Sequence, residues 1–360
     1  MSDDLQKLNP IKICYFPGRE SGYSRNRVLI KGMREAGIIV HDCSSASKSF
    51  LRYISSFLKF LYFKNNCDFI FVGFLGQFLV PIIKVFTRKK ILFDAFISIY
   101  QTMCFDRQIF SPNSLKGKLA KWIDQKSCAD ADIIFLDTDQ HIQYFINTLD
   151  IDKDKLHKLP VGSDDSIFYP RESTNKKEFI VHFHGEFQPL HGTPYIVEAA
   201  KILPNIKFQM IGKGTELLKC KELTKKYQLS NIEFKTPVAY EKLPKYMSQA
   251  SVCLGIFGDT EKAKLVIPHK VYEALAMGIP IITAEAEATR ESLTDKLNSI
   301  LCQPADPVRL AEAILFAKNN KDLAITIGKN GYNLFKENYT QKKIGETVHR
   351  TVADLIAPSS

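Results

Sequence analysis

The sequence predicts an α/β protein in which two doubly wound domains face a central cleft. The chain has 360 residues, more than a single hydrophobic core usually serves, so two domains are expected. Short apolar runs alternate with amphipathic stretches of helical length from end to end, which is typical of βαβ units and parallel sheets. The hydrophobic fraction of 45% and the charged fraction of 24% are ordinary for a folded protein and exclude disordered and fibrous classes.

The predicted strands are the apolar runs bounded by turn residues. In the first half of the chain they are IKICYF, DFIFVGF, KILFDAF and ADIIFLD. In the second half they are EFIVHFHG, IKFQMIG, NIEFKT, SVCLGIF, IPIITA and NSILC. Because ligands of open α/β sheets bind outside the carboxyl ends of the strands, we expect the functional site in the cleft between the domains.

The boundary between the domains is predicted in the segment LPVGSDDSIFYPRESTNKKEF. Its proline, glycine, serine and aspartate residues end one regular region, and a polar stretch precedes the next strand. We therefore place the N-terminal domain at residues 1–167 and the C-terminal domain at residues 168–339.

Three features bear on the compartment. The eight cysteines form no C-x-x-C pair and several lie in apolar runs, which indicates buried, reduced thiols in a cytoplasmic protein. The first ten residues, MSDDLQKLNP, are acidic and polar, so no signal peptide is expected. The apolar stretch 68–86 contains two glycines, a glutamine, a proline and a lysine, so a strand, a turn and a short helix are favoured over a membrane-spanning helix.

The segment VIPHKVYEALAMGIPIIT predicts a helix from Pro268 to Met277, because proline suits the first turn of a helix and Gly278 suits its C-terminal cap. Lys270 and Glu273 are three residues apart and share a face of that helix. A carboxylate can accept two hydrogen bonds from the vicinal diol of a ribose, and a lysine near a helix N-terminus can balance a diphosphate. The alternative is a surface ion pair worth a few tenths of a kcal/mol.

A first glycine loop lies in VHFHGEFQPLHGTPYIVEAAKIL. A strand leads through Gly185 and Gly192 to a helix with Thr193 as its expected N-cap and Pro194 at its first position. The free N–H groups and the dipole of that helix favour phosphate. An ordinary strand-to-helix turn is the alternative.

A second glycine loop lies in FQMIGKGTELL, where a strand ends at Gly212, Lys213 and Gly214. Glycine allows close approach of the backbone to a ligand, and the lysine is able to meet an anion. The segment is not a full G-x-G-x-x-G dinucleotide fingerprint, because Leu217 stands at the third glycine position.

Along the chain, the first glycine loop, the second glycine loop and the helix with Lys270 and Glu273 follow one another. In this order they resemble the C-terminal, donor-binding half of retaining glycosyltransferases of family 4, which have the GT-B fold. The segment LPVGSDDSIFYP is similar to the V-x-N-G-x-D-x-x-x-F-x-P between the domains of that family, with Ser163 in place of asparagine. YSRNRVLIKGM and REAGIIVHDC are similar to its first helix and second strand. The resemblance covers essentially the whole chain and implies two Rossmann-like domains, with a C-terminal helix at 340–357 crossing back onto the N-terminal domain.

The resemblance implies transfer of a sugar from a nucleotide-sugar donor to a hydroxyl of a glycan or lipid-linked acceptor. It further implies retention of anomeric configuration and no need for a metal or other cofactor. A glutamate at the position of Glu273 binds the nucleotide ribose in that family, and Lys270, Lys264 and Arg25 are candidates to stabilise charge that grows on the diphosphate. The residues expected to bind the donor are Gly22, Arg25, Gly185, His191, Gly192, Gly212, Lys213, Gly214, Lys264, Pro268 and Glu273.

Several positions depart from the family pattern. Leu265 stands where the first glutamate of E-x7-E belongs, and Gly73 lies near the place of an expected histidine. The usual phosphate-binding arginine and lysine would fall near Glu186 and His191. We expect Lys270, in a P-x-K-x-x-E variant, to replace part of the lost positive charge. A sugar-nucleotide epimerase of the same fold and a catalytically weak nucleotide-binding homologue therefore stay open as alternatives.

The expected catalytic residues are Lys270, Glu273 and Asp94. Asp94 ends the strand KILFDAF and is a candidate to accept the proton of the acceptor hydroxyl; capping of the next turn is the alternative. The pairs Asp130/Asp132 and Asp137/Asp139 resemble the D-x-D of metal-dependent transferases but flank the strand IIFL. We therefore expect capping roles for these pairs and no metal site.

Positive charge is concentrated in the first half of the chain. Of a formal net charge of +10, the stretch from 48 to 126 holds thirteen Lys or Arg and four acids. Residues 48–64 predict a helix with two faces, an apolar one of Phe50, Ile54, Phe57, Leu58 and Leu61 and a basic one of Lys48, Arg52, Ser55 and Lys59.

This basic, aromatic helix suits the surface of an anionic membrane. We therefore expect peripheral association at the inner face of the cell membrane, with a helix packed on the sheet and its charges in water as the alternative. No nucleic acid partner is expected, because no stacking motif or recognition helix accompanies the charge.

Overall fold

The structure is a computed structural model that describes residues 10–20, 22–45, 51–172 and 178–356. It contains two six-stranded sheets whose neighbouring strands run parallel. Helices cover both faces of each sheet, so most strand residues are buried on both sides. The predicted class, two doubly wound α/β domains, is confirmed.

The N-terminal sheet has the strand order β2-β1-β3-β4-β5-β6. Its strands are β1 (Lys12–Phe16), β2 (Ile39–Asp42), β3 (Phe69–Val72), β4 (Lys90–Asp94), β5 (Ile133–Leu136) and β6 (Leu156–Lys158). The C-terminal sheet has the order β12-β11-β10-β7-β8-β9. Its strands are β7 (Ile180–Glu186), β8 (Lys207–Lys213), β9 (Ile232–Lys235), β10 (Val252–Leu254), β11 (Ile281–Ala284) and β12 (Ile300–Cys302).

Helices connect the strands. Those of the N-terminal half are α1 (Ser24–Glu35), α2 (Leu51–Phe63), α3 (Leu79–Phe86), α4 (Ile99–Gln101), α5 (Leu115–Asp130) and α6 (Asp139–Leu149), with a π-helical turn at Thr102–Asp106. Those of the C-terminal half are α7 (Thr193–Ile202), α8 (Leu217–Lys226), α9 (Leu243–Met247), α10 (His269–Met277), α11 (Glu287–Arg290), α12 (Pro307–Asn319) and α13 (Lys321–Asn338). A last helix, α14 (Gln341–Ile356), ends the described chain.

Helix α14 returns to the N-terminal half and packs along α1. The two helices touch at Gly32 and Gly345, where a Cβ on Gly345 would lie 1.9 Å from the carbonyl oxygen of Gly32. Only glycine allows this approach at both positions. The chain therefore passes between the two halves twice, and the two passages are joined by a hydrogen bond of 3.2 Å from the Ser163 amide to the Tyr339 carbonyl.

Most element predictions are confirmed. All ten predicted apolar runs form strands, and the stretch 68–86 forms β3, a turn and α3. Strand β6 was not predicted, because its sequence LHK offers a single apolar residue and no alternation. None of the described helices combines the length and apolarity needed to cross a bilayer.

Helix ends follow the predicted caps with small shifts. Helix α10 begins one residue later than predicted, because Pro268 is extended at φ −76° and ψ 160° and serves as the N-cap. Gly278 caps the other end at φ 66°, as predicted. Helix α7 takes Gly192, at φ 61°, as its N-cap, and Thr193 is the first helical residue.

The cysteines and the basic helix were also predicted from the sequence. All eight cysteines are buried, as predicted. The predicted helix 48–64 is observed as α2 from Leu51, and residues 48–50 lie outside the described part of the chain.

Candidate active site

A cavity of about 440 Å³ lies between the carboxyl edges of the two sheets. The N-terminal half contributes an aromatic and apolar wall that includes Tyr23, Phe74 and Phe96. The C-terminal half contributes the polar wall, with residues from the loop after β7 and from the first turns of α10. This is the position at which open α/β sheets bind ligands.

Glu273 faces this cavity from α10 and is 3% exposed. Its Oε2 accepts a hydrogen bond of 2.6 Å from His184 Nε2. Burial alone would raise the pKa of Glu273, but the hydrogen bond and charge of His184 outweigh burial, so the pKa lies below its usual value. Glu273 is therefore held as a carboxylate at the base of the cleft.

The hydrogen bonds continue behind Glu273 into the sheet. His184 Nδ1 lies 3.0 Å from His182 Nε2, and His182 Nδ1 lies 2.9 Å from Gln209 Oε1. Burial lowers the pKa of His182 to about 3, so this ring is neutral. The chain of buried side chains fixes the orientation of His184, and His184 in turn fixes the carboxylate of Glu273.

Lys270 lies one turn before Glu273 and is also buried, at 5% exposure. Its amino group sits over Gly185, where an added Cβ would lie 3.1 Å from Nζ, and 4.9 Å from the centre of the Phe183 ring. Burial lowers the pKa of Lys270 from 10.5 to about 7, although Glu273 and Glu186 act in the opposite direction. The structure thus brings together the predicted residues Lys270, Glu273 and Gly185.

The loop after β7 does not supply a second cation. His191 Nδ1 contacts the backbone carbonyl of Glu186, and the His191 ring lines the cavity. Burial, followed by the charge of Lys270, holds the pKa of His191 well below its usual value. His191 is therefore neutral and does not replace the lysine expected near this position.

Positive charge in the cleft comes instead from side chains that sequence reasoning missed. Lys262 lines the cavity at 7% exposure, and its Nζ donates a 2.9 Å hydrogen bond to Thr102 Oγ1. Arg19 and Arg107 also line the cavity. The predicted Lys264 points away from it, is half exposed and pairs with Glu261 at 2.6 Å. Nothing in the segment GDTEKAKLVIP distinguishes the lysine that turns inward.

The structure pairs Arg25 with Asp94 behind the cavity wall. Both side chains are fully buried and bind each other, with distances of 3.1 Å from Nε to Oδ2 and 2.9 Å from Nη2 to Oδ1. Arg25 also donates to the backbone carbonyls of Leu159 and Pro160. Neither side chain lines the cavity, and the donor-binding role of Arg25 and the proton-accepting role of Asp94 stay predictions. The carboxylate that the N-terminal half presents to the cavity is Asp106.

The second glycine loop also has a structural role. A Cβ on Gly212 would lie 1.8 Å from the Gly185 carbonyl oxygen, and a Cβ on Gly214 would lie 2.4 Å from the Phe187 amide nitrogen. These glycines let the β8 loop press against the loop that carries Gly185. They do not line the cavity, and neither does the exposed Lys213.

Other predicted positions are placed as follows. Gly22 is exposed and lies outside the cavity wall, whereas Pro268 lines it. Asp132 accepts a hydrogen bond from the Ile91 amide, and Asp137 pairs with His141 at 2.8 Å. Among residues 10–20, 22–45, 51–172 and 178–356, no three His, Cys, Asp or Glu side chains cluster in a way that holds a metal ion.

His269 adds a polar group that the sequence did not single out for a ligand. It lines the cavity edge-on to Tyr23 and Phe96, at ring distances of 6.2 Å. Neither of its buried ring nitrogens has a hydrogen-bond partner in the described chain. Burial lowers the pKa of His269 to about 4, so this neutral ring is available to a bound ligand.

Residues 166–334 match the family model described as Glycosyl transferases group 1. An uncharacterized glycosyltransferase of Methanocaldococcus jannaschii is 25% identical over 221 residues, which are 59% of this chain and 58% of that protein. The chain thus matches a little over half the length of that relative.

Solved structures share the two-domain architecture. Sucrose-phosphate synthase from Thermosynechococcus elongatus superposes with a TM-score of 0.78 at 16% identity, over 98% of this chain and 100% of that one. The Anabaena protein HepE, in complex with UDP-glucose, gives a TM-score of 0.74 at 14% identity, over 96% and 100% of the two chains. These similarities identify the fold of this chain as GT-B.

Proposed function

Because residues 166–334 match the family model of glycosyl transferases group 1, we propose that this chain is a glycosyltransferase. It moves a sugar from a nucleotide-sugar donor to a hydroxyl of an acceptor. The observation that carries the proposal is the pair Glu273 and Lys270, which face one cavity from adjacent turns of α10. A nucleoside diphosphate offers a ribose diol and a diphosphate, the two groups that a fixed carboxylate and a lysine recognise.

In the proposed complex, Glu273 binds the ribose. Because Oε2 already accepts from His184, the diol meets mainly Oε1. The diphosphate lies beside Gly185, next to the amino group of Lys270, which sits over that glycine. The HepE complex with UDP-glucose supports a donor of this chemical class.

Leaving-group stabilisation is the main catalytic demand. As the glycosidic bond of the donor breaks, negative charge grows on the diphosphate, and fixed positive groups in a buried site lower the energy of that state. Lys270 and Lys262 are the buried cations of the cavity, and Arg19 and Arg107 stand at its N-terminal wall. Retention of configuration and independence of a metal are part of the proposal and rest on the family resemblance.

The acceptor is proposed to occupy the N-terminal wall. That wall is largely aromatic and apolar, with Tyr23, Phe74 and Phe96 among its residues. Such a surface suits the face of a sugar ring or an apolar carrier. Product analysis with the donor alone and with added acceptors separates transfer from the hydrolysis or inversion that an epimerase would give.

Binding of nucleoside diphosphates tests the donor site directly. We expect at least one nucleoside diphosphate to raise the Tm of the chain, because a ligand that binds only the folded state stabilises it in proportion to the logarithm of its concentration over Kd. A thermal-shift screen over the common bases, with the matching nucleosides as controls for the diphosphate, measures this effect. The absence of a shift with every base would refute the proposed donor site.

The affinity for a nucleoside diphosphate is expected to fall as pH rises above 7. The free Lys270 has a pKa of about 7 because it is buried, and an adjacent diphosphate raises that pKa, so binding takes up a proton. Above the pKa of the free site, Kd therefore increases by up to about tenfold per pH unit. Titrations above pH 7.5 avoid the ionisation of the terminal phosphate, whose pKa is about 6.

Variants of Lys270 supply the controls for this pH dependence. Lys270→Met is expected to bind weakly with no slope over the same pH range, whereas Lys270→Arg keeps its charge and also shows no slope. Glu273, Glu186 and His191 face the same amino group. Equal slopes in the parent chain and Lys270→Met would assign the effect instead to Lys262, the other buried lysine of the cavity, whose pKa is also lowered by burial.

A further inference from the structure

The N-terminal helical layer exposes an apolar surface that the cavity does not explain. In the described chain 22 large hydrophobic side chains are exposed, and twelve of them lie between residues 51 and 122. This fifth of the sequence thus carries more than half of the exposed apolar groups. We call the surface the α2/α3/α5 face; its residues are Leu51, Ile54, Leu58, Tyr62, Phe78, Ile82, Val85, Phe86, Ile109, Leu115, Leu119 and Trp122.

The three helices form one continuous layer. Helix α2 meets the end of α3 where the Phe57 and Phe86 rings lie 5.1 Å apart and Lys64 Nζ donates to the Phe86 carbonyl. Helix α3 packs beside α5. On α2 and α5 the exposed apolar residues recur every three or four positions, so they follow one side of each helix.

This arrangement corrects the predicted faces of the basic helix. Ile54 and Leu58, which belong to the predicted apolar face, are 50% and 61% exposed, so that face does not pack on the sheet as a whole. The contact with the core comes from Ser56 and Phe60, which are buried, and from neighbouring partly buried side chains. Helix α2 therefore has a second apolar side, and that side faces solvent.

The segment that forms the face is rich in positive charge, and acids of neighbouring segments pair with three of its cations, Arg52, Lys84 and Lys126. Residues 51–126 contain twelve Lys or Arg and four acids. Three of these acids, Asp94, Asp106 and Asp124, are buried, which leaves Asp68 as the exposed acid of the region. Apolar side chains that project from a basic surface are the pattern of proteins that bind an anionic bilayer in its interfacial plane.

We propose that the α2/α3/α5 face docks on an anionic lipid bilayer. The exposed leucine, valine and aromatic side chains enter the boundary between headgroups and acyl chains, and the surrounding lysines and arginines bind the lipid phosphates. A second copy of the chain on this face would place two basic surfaces against each other, which is electrostatically unfavourable. The membrane is therefore the occupant that fits both the apolar residues and the charge.

The position of the face also bears on the proposed reaction. Phe78 lies three residues after Leu75 of the cavity wall, and Ile109 lies two residues after Arg107 of the same wall. A docked bilayer would thus lie beside the acceptor side of the cleft. If the proposed transfer holds, this placement favours an acceptor carried by a lipid.

The chain carries a native probe of this contact. Trp122 is its single tryptophan and is 58% exposed on the face. With vesicles of phosphatidylcholine and phosphatidylglycerol at low salt, we expect a blue shift of Trp122 emission and quenching by brominated acyl chains. High salt or vesicles of phosphatidylcholine alone should weaken both signals, because the basic residues supply part of the binding.

Matched variants separate the face from the rest of the surface. Lys116→Ser with Lys118→Ser is expected to lower vesicle binding about thirtyfold, whereas Lys321→Ser with Lys329→Ser on α13 should leave it unchanged. Val85→Ser is expected to lower binding about fivefold, and Ile325→Ser on α13 is its control. All three α13 control residues are exposed.

Three outcomes would overturn the proposal. They are the absence of a Trp122 shift with anionic vesicles at low salt, equal binding to neutral vesicles at every salt concentration, and a lipid-independent shift that depends on protein concentration. The last would indicate a second copy of the chain. Retention of the nucleotide thermal shift in the lysine variants distinguishes loss of docking from failure of the proposed donor site.

Discussion

The Glu273→Ala variant is expected to bind nucleoside diphosphates about tenfold to a hundredfold more weakly than the parent chain. The substitution removes the buried carboxylate to which we assign the ribose, and a hydrogen bond to a charged group contributes about 1.5–3 kcal/mol. It also leaves His184 without the acceptor that it contacts at 2.6 Å. Isothermal titration with the nucleotide identified by thermal shift measures the change in Kd.

Two further variants make this result specific. Glu285→Ala removes a partly exposed carboxylate of the same domain, bound to Arg290, and should not change the affinity. Glu273→Gln keeps the size of the side chain and should fall between the parent and alanine variants. If Glu273→Ala bound nucleotide as tightly as the parent chain, the ribose assignment would be wrong.

The second large expected effect is a loss of folding stability when the buried ion pair of Arg25 and Asp94 is broken. Arg25→Met is expected to lower the free energy of unfolding by about 3–5 kcal/mol, because it leaves the charge of Asp94 buried without its partner. Arg25 and Asp94 are both fully buried, and Arg25 also binds the carbonyls of Leu159 and Pro160. Urea unfolding followed by circular dichroism measures the loss.

A double variant distinguishes structure from catalysis at this pair. Arg25→Met with Asp94→Leu removes both buried charges and should recover much of the lost stability. We expect the refolded double variant to keep its nucleotide affinity, since neither side chain lines the cavity. Arg309→Met, which breaks the exposed pair with Glu312, is the control and should change little. A stable double variant that does not bind nucleotide would indicate that Arg25 or Asp94 contributes to donor binding.

The fold was predictable because the local sequence patterns for strands and helix ends agreed with the parallel α/β architecture. Apolar runs of strand length predicted ten of the twelve strands in the described residues, and proline and glycine marked the ends of α10. Strand β6 was not predicted because only one of its three residues is apolar. Its position is fixed by pairing with β5, a long-range contact that no local pattern records.

Residues of the candidate site were predictable only where their spacing along one helix determines that they share a face. Lys270 and Glu273 share a face of α10 through their separation of three residues, and the structure brings both to the cavity. The inward turn of Lys262 and the outward turn of Lys264 depend on the path of a loop. The pairing of Arg25 with Asp94 joins residues 69 positions apart, so the sequence alone suggested two functional groups where the fold has one buried ion pair.

The double passage of the chain between its halves limits how the cleft opens. Because the two connections are joined by the hydrogen bond from the Ser163 amide to the Tyr339 carbonyl, we expect them to act as a hinge. Any relative motion of the halves has to bend both connections together, and sliding would shear the bond between them. Since α14 is packed on α1, we expect α14 to move with the N-terminal half when the cleft opens.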